Sequence, residues 1–159
     1  PAFDANRQAG IEAVKPVIER LKETGWTFGS HTWGHIRLDS RPLESVQRDT
    51  VRWAEEVGSL VGPTNILFYP HGGRPDGDDW HSTGPVFQYL QSQGFRIFAS
   101  VGINSFSYIK KDISAVICDR LHPDGTTLRN GKALEWYSQF YDAREIIDLD
   151  VRPDLGVTW

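Results

Sequence analysis

The chain has one cysteine, Cys118, among 159 residues. No intrachain disulfide is open to it. One cysteine also does not assign a compartment, because many exported bacterial proteins lack disulfides. No apolar run approaches the roughly 20 residues that a membrane-spanning helix needs. The excess of one sign of charge over the other is small. With 17 Lys+Arg against 21 Asp+Glu, the net charge is −4, and nothing points to nucleic acid or a polybasic membrane contact. The opening stretch, PAFDANRQAG, carries no secretion signal. Beginning on proline rather than methionine, the chain reads as a processed piece of a longer protein, whose targeting signal would lie upstream. There is no repeat or low-complexity segment.

The remaining composition is that of an ordinary soluble globular protein, long enough for one domain over residues 1–159 with a sizeable core. Six tryptophans leave two readings open, large core residues or rings that stack on sugars. Helical spacing of Ile11, Val14, Ile18 and Leu21 predicts a helix over 6–24, with Pro16 as a kink or restart and Gly25 as its stop. Trp26 to Gly29 reads as a short strand. A second helix begins near Ser40 or Pro42, turns Val46, Trp53, Val57 and Leu60 to one face, and ends at Gly62-Pro63. NILFYP reads as a strand that stops at the loop HGGRPDGDDWHSTG. Further on come a helix over 85–93 ended by Gly94, strands at FRIFASVG and AVICD, and a helix over 132–141. Alternating helices and strands argue for parallel strands with crossover helices, hence an α/β sheet or barrel. Such folds collect their chemistry at the C-terminal ends of strands. His31, the YPHGG loop and His122 all lie just past predicted strands.

The stretch GWTFGSHTWGH places His31 and His35 four residues apart. Neutral imidazole is a metal ligand at neutral pH, and a pair so spaced can reach one ion. By spacing alone, two polar residues at a strand end are an equally open reading. Glutamate does not follow His31, so the zincin pattern His-Glu-x-x-His does not apply. Thr32 is placed to cap the next turn or brace the loop.

This stretch resembles the second motif of the polysaccharide deacetylases, the NodB-homology domain of carbohydrate esterase family 4. There a helix, a glycine and a strand precede Asn/Ser-His-Ser/Thr-x-x-His. Gly25, Gly29, Ser30, His31, Thr32 and His35 match. Downstream, GPTNILFYPHGG resembles the strand and third motif, usually Phe-Arg-Pro-Pro-Tyr-Gly, with Phe68, Pro70 and Gly73 in place. The likeness runs from about residue 6 to about residue 100. It implies an α/β fold with parallel strands, a partial or distorted (β/α) barrel. It also implies a divalent metal, most commonly zinc, with cobalt or nickel as alternatives, held by His31, His35 and an aspartate. The implied reaction removes N-acetyl groups from a polysaccharide or peptidoglycan-like sugar. A first-motif aspartate serves as base, and His122, in RLHPD, matches the late general acid. The implied setting is the outside or surface of a bacterial cell.

This chain departs from the pattern in several places. The first motif, Thr-Phe-Asp-Asp-Gly, belongs well upstream of the second, and only thirty residues precede His31 here. AFDAN is faintly similar, but Asp4 lies too close to His31 and no strand follows before the helix. The domain therefore reads as truncated at its N-terminus, without base or third ligand. Tyr69 stands where arginine normally orients the base, and His71 and Gly72 replace Pro-Tyr. Tyr69 and His71 become candidate substrate contacts, with an extra metal contact or a solvated loop position also open for His71. The fourth motif, Asp-x-x-Asp-Trp, is not found near SVGINSF. His122 fits a plain turn as well, given Pro123-Asp124-Gly125.

Two functions follow. One is a metal-dependent deacetylase of N-acetylated polysaccharide, present as a fragment inactive by itself. The other is a non-catalytic carbohydrate-binding or scaffold domain on a degenerate deacetylase fold. A sheet missing its first strands would leave open edges, to be covered by self-association or by the missing N-terminal segment.

Overall fold

The computed structural model describes residues 2–77, 84–101, 108–111, 114–120, 135 and 138–139. The chain clusters into two compact units, Pro1–Arg120 and Leu121–Trp159. Every element named below belongs to the first. His122 and nearly all of the helix expected over 132–141 lie outside the described residues.

Helix α1 spans Ala2–Glu23 and runs through Pro16. Asp4 is therefore helical, and AFDAN is no strand-borne motif. Of the predicted apolar stripe, Ile18 is buried, Ile11 and Leu21 are half-buried, and Val14 is exposed. Gly25, with φ 88°, closes the helix. Its N–H donates to the Lys22 carbonyl and that of Trp26 to the Leu21 carbonyl, each at 3.0 Å. This is the glycine-centred pair of hydrogen bonds that ends many helices.

The strand expected at Trp26–Gly29 does not form. Trp26 has committed its N–H to the end of α1, and the Phe28 carbonyl accepts the Thr64 hydroxyl at 2.7 Å. Only Ser30 joins the sheet, as an isolated parallel bridge to Leu67. Its N–H donates to Ile66 and its carbonyl accepts from Phe68, at 2.9 and 2.8 Å.

Helix α2 spans Leu43–Trp53 and buries Val46, Asp49 and Trp53. It widens into a π turn over Ala54–Gly58 before the short α3, Ser59–Val61. Gly62, at φ 93°, ends the run as expected. Strand β1 is Ile66–Phe68, helix α4 is Pro85–Ser92, β2 is Ile97–Val101, β3 is Tyr108–Lys110 and β4 is Ala115–Arg120. The Asp76 carboxylate caps α4 by accepting the Val86 and Phe87 N–H groups at 3.1 and 2.9 Å.

The sheet order is β1-β2-β4-β3. Strands β1, β2 and β4 are mutually parallel, with Leu67 opposite Phe98 and Phe98 opposite Ile117. Strand β3, which the sequence pattern does not announce, pairs antiparallel with β4. Among the described residues the sheet is open, so parallel α/β architecture is present and a closed barrel is not. Leu67, Tyr69, Phe87, Leu90, Phe98 and Ile117 form the centre of the core, joined by Leu38 and Val46 from the α2 side. Because Ser30, β1, β2 and β4 run the same way, their C-terminal ends share one edge. His31, the loop after Phe68 and Arg120 all emerge there.

Candidate functional site

His31 follows the Ser30 bridge directly, which fixes where its ring starts. Its Nδ1 lies 2.8 Å from the Phe68 carbonyl oxygen. A carbonyl can only accept, so Nδ1 carries the proton and Nε2 keeps a free lone pair. Burial holds the imidazole below the ordinary histidine pKa, partly opposed by the Phe68 bond; Arg120, His35 and His71 lower it further. A neutral ring with one nitrogen anchored and the other free is the form a metal ligand takes.

The rings of His31 and His35 have centroids 4.9 Å apart and meet edge to face. His71 approaches His35 in the same manner at 4.5 Å. The sequence treats His31 and His35 as one motif and His71 as part of another; the fold makes the three a cluster. A cavity of about 480 Å³ opens on His35 and His71, with Arg37, Ser40 and Arg41 among its walls.

The backbone around this cluster is unusual. Thr32, His35 and His71 have φ of 60°, 50° and 56°. Left-handed backbone costs an L-residue about 1–2 kcal/mol, and a β-branched threonine is the least suited to it. Local hydrogen bonds offset the cost at Thr32. Its N–H donates to the Ser30 hydroxyl, and its own hydroxyl accepts the Ile36 N–H, both at 3.2 Å. Thr32 thus ties the turn to Ser30 and Ile36 through its backbone N–H and its hydroxyl.

The stronger brace comes from α2. The Asp49 carboxylate accepts the N–H of Trp33 at 2.8 Å and that of Gly34 at 2.7 Å. Asp49 is 9 % exposed, so these charge-assisted bonds operate away from bulk water. Sequence reasoning missed this residue. The signal was an acid at the centre of the apolar face formed by Val46 and Trp53.

Trp33, between the two histidines, keeps 41 % of its surface exposed. The Arg52 guanidinium covers one face, 3.5 Å from the ring centroid, and the indole N–H donates to Glu56 at 3.0 Å. Arg7 and Arg52 both pair with Glu56 at 2.9 Å. Of the described tryptophans, Trp53 is core while Trp26 and Trp33 are exposed.

Tyr69, expected at the substrate, is instead completely buried. Its ring lies 6.3 Å from that of Phe98, and burial pushes its hydroxyl well above the ordinary pKa. Strand alternation explains the placement. Tyr69 continues β1, donating its N–H to Ala99 at 2.8 Å, and the same face that buries Leu67 buries Tyr69. His71 sits two residues later in a 3-10 turn over Pro70–Gly72, where the left-handed backbone breaks that alternation.

As donors, His31 and His35 suit a divalent ion: both offer imidazole nitrogen, and His31 is already oriented through its second nitrogen. Among the described residues, no three His, Cys, Asp or Glu side chains stand ready-made as a metal cage. No described helix is long and apolar enough to cross a membrane.

A family model described as polysaccharide deacetylase matches residues 3–95, more than half of the chain. No curated protein matches the chain, and no solved structure does.

Proposed function

Since the chain belongs to the polysaccharide deacetylase family, we propose that it serves the hydrolysis of N-acetyl groups on a polysaccharide, with His31 and His35 as ligands of a divalent metal, most simply zinc. The observation that carries this reading is the bond from His31 Nδ1 to the Phe68 carbonyl. It fixes the tautomer and leaves the lone pair on Nε2. The open sheet is read as part of a distorted deacetylase barrel.

When bound, a divalent ion polarises an amide carbonyl and lowers the pKa of a water. The chain's own residues do the rest. Phe68 and Asp49 hold the two histidine-bearing turns in place. Trp33, backed by Arg52, offers an exposed ring beside the histidines for a sugar face. The cavity walled by Arg37, Ser40 and Arg41 takes the flanking part of the substrate. His122 is assigned the role of general acid toward the leaving amine. The reaction belongs outside the bacterial cell, where such polymers lie.

A second reading rests on Tyr69. A buried phenol replaces the arginine that orients the family's base, and that favours a domain which binds carbohydrate without turning it over. The test uses the purified chain supplied with zinc, beside His31→Ala. Acetate release from N-acetylglucosamine oligomers, lost in His31→Ala, supports the enzyme. Oligomer binding without acetate supports the binding domain. If neither protein takes up zinc, cobalt or nickel, the metal assignment is wrong.

A further inference from the structure

Resting on the reading that the cavity beside the histidines takes the part of the polysaccharide flanking the N-acetyl group, we propose that this cavity binds an anionic substituent of the sugar through Arg41 and Arg37. The substituent is a carboxylate, or a sulfate or phosphate ester. The polymer served is then an acidic N-acetylated polysaccharide, and neutral chains are poorer ligands.

The argument begins with charge. The chain as a whole carries an excess of acid, 21 Asp+Glu against 17 Lys+Arg. The cavity has the opposite balance. Among the described residues its walls include Arg37, Arg41, His35 and His71, and no Asp or Glu. Its volume of about 480 Å³ is in the range that takes a small organic ligand. One acid lies close by. Asp39 accepts from Arg37 Nε at 3.0 Å and pairs with an Nη of the same guanidinium. That hydrogen bonding holds the Asp39 carboxyl below the usual carboxylate range, so the two charges cancel. The Asp39 carboxylate also lies against Gly73, in the loop that carries His71, and fixes Arg37 from that side. Held through Nε and one Nη, the guanidinium keeps its other Nη to donate to a second acceptor. Arg41 is exposed and pairs with no acid among the described residues.

The Arg41 charge at the cavity wall decides the ligand. A guanidinium fork matches the paired oxygens of an oxyanion. A neutral sugar offers only hydroxyl and amide groups and leaves that charge without a counter-charge. Ser40 adds a hydroxyl donor to the same wall. Because His35 lines this cavity as well, the anion sits on the sugar unit next to the one whose N-acetyl group faces the metal.

The experiment measures binding to the zinc-loaded chain by calorimetry, with three oligosaccharides of matched length. One alternates N-acetylglucosamine with glucuronate. The second is the same chain with its carboxylates converted to neutral amides, and the third carries N-acetylglucosamine 6-sulfate. Wild type should bind an acidic chain about 10-fold more tightly than the amide, the effect of one charge-assisted hydrogen bond. Added salt should erode that preference. The tighter of the two acidic chains identifies the oxyanion. Arg41→Gln should remove most of the preference and Arg41→Lys less of it, whereas a scaffolding role for Arg41 would shift all three affinities alike. Circular dichroism checks folding. An unchanged preference in Arg41→Gln would overturn the assignment to Arg41. If wild type binds neither acidic chain better than the amide, the proposal is wrong. Acetate release from neutral N-acetylglucosamine oligomers, lost in His31→Ala, would still uphold the deacetylase reading in that case.

Discussion

The Asp49 carboxylate lies 2.7 Å from the backbone nitrogen of Gly34, tying helix α2 to the turn between the two motif histidines. A ring of the right chemistry is of little use to a ligand unless its backbone is held, and here a buried acid holds it. Asp49→Ala would leave the Trp33 and Gly34 N–H groups without their acceptor. The expected cost is about 2–4 kcal/mol, read from urea unfolding at neutral pH. Asp49→Asn, which keeps one acceptor oxygen, should lose less. Wild-type stability in both variants would mean the turn stands without this support.

Gly29 is required for a different reason. A Cβ there would come within 2.5 Å of the Phe68 ring, and that ring sits in the strand whose carbonyl orients His31. Gly29→Ala should destabilise the fold by about 1–3 kcal/mol through overpacking. It should also weaken zinc binding to the extent that the Phe68 backbone, which carries the acceptor of His31, shifts with its ring. Intact stability with intact affinity would show that the neighbouring side chains absorb the methyl.

Tyr69 sets the alkaline behaviour. Burial raises its pKa well above the ordinary value of 10.0. Below that value the phenol is neutral whether folded or unfolded, so the stabilisation is fully present. Above it the unfolded chain ionises first, binds fewer protons than the native state, and stability falls as pH rises. Tyr69→Phe should flatten this fall. Ultraviolet titration should show one of the five tyrosines staying un-ionised until the chain unfolds. Native-state ionisation of all five near the ordinary value would contradict the burial.

Cys118 should be sluggish toward thiol reagents at neutral pH. Burial, aided by the neighbouring Asp119 charge, pushes its thiol above the usual range, and the thiolate is the reactive form. Reaction as fast as that of an unfolded control would show β4 to be open at that point.

Local patterns carried the helices well. Gly25 and Gly62 end α1 and the α2–α3 run where the sequence places them, because a left-handed stop is a property of glycine itself. Ile66–Phe68, Ile97–Val101 and Ala115–Arg120 were legible as compact apolar runs. Trp26–Gly29 was not, because whether an apolar tetrad becomes a strand depends on which partners claim its backbone groups. Strand β3 escaped notice because Ile109 is 74 % exposed and no apolar run marks it.

By itself, the amino-acid sequence determined the family, through the spacing of Ser30, His31, Thr32 and His35 and the strand that follows. It also determined the alternation that makes the sheet parallel, and therefore the edge where the chemistry collects. Which residues meet at that edge was a tertiary matter. Tyr69 went into the core and His71 out beside His35 because one left-handed turn reversed the strand's alternation. Asp49 reached the histidine loop from fifteen residues beyond Gly34. Spacing along a chain can show that two histidines suit one ion; only the folded backbone decides what stands next to them.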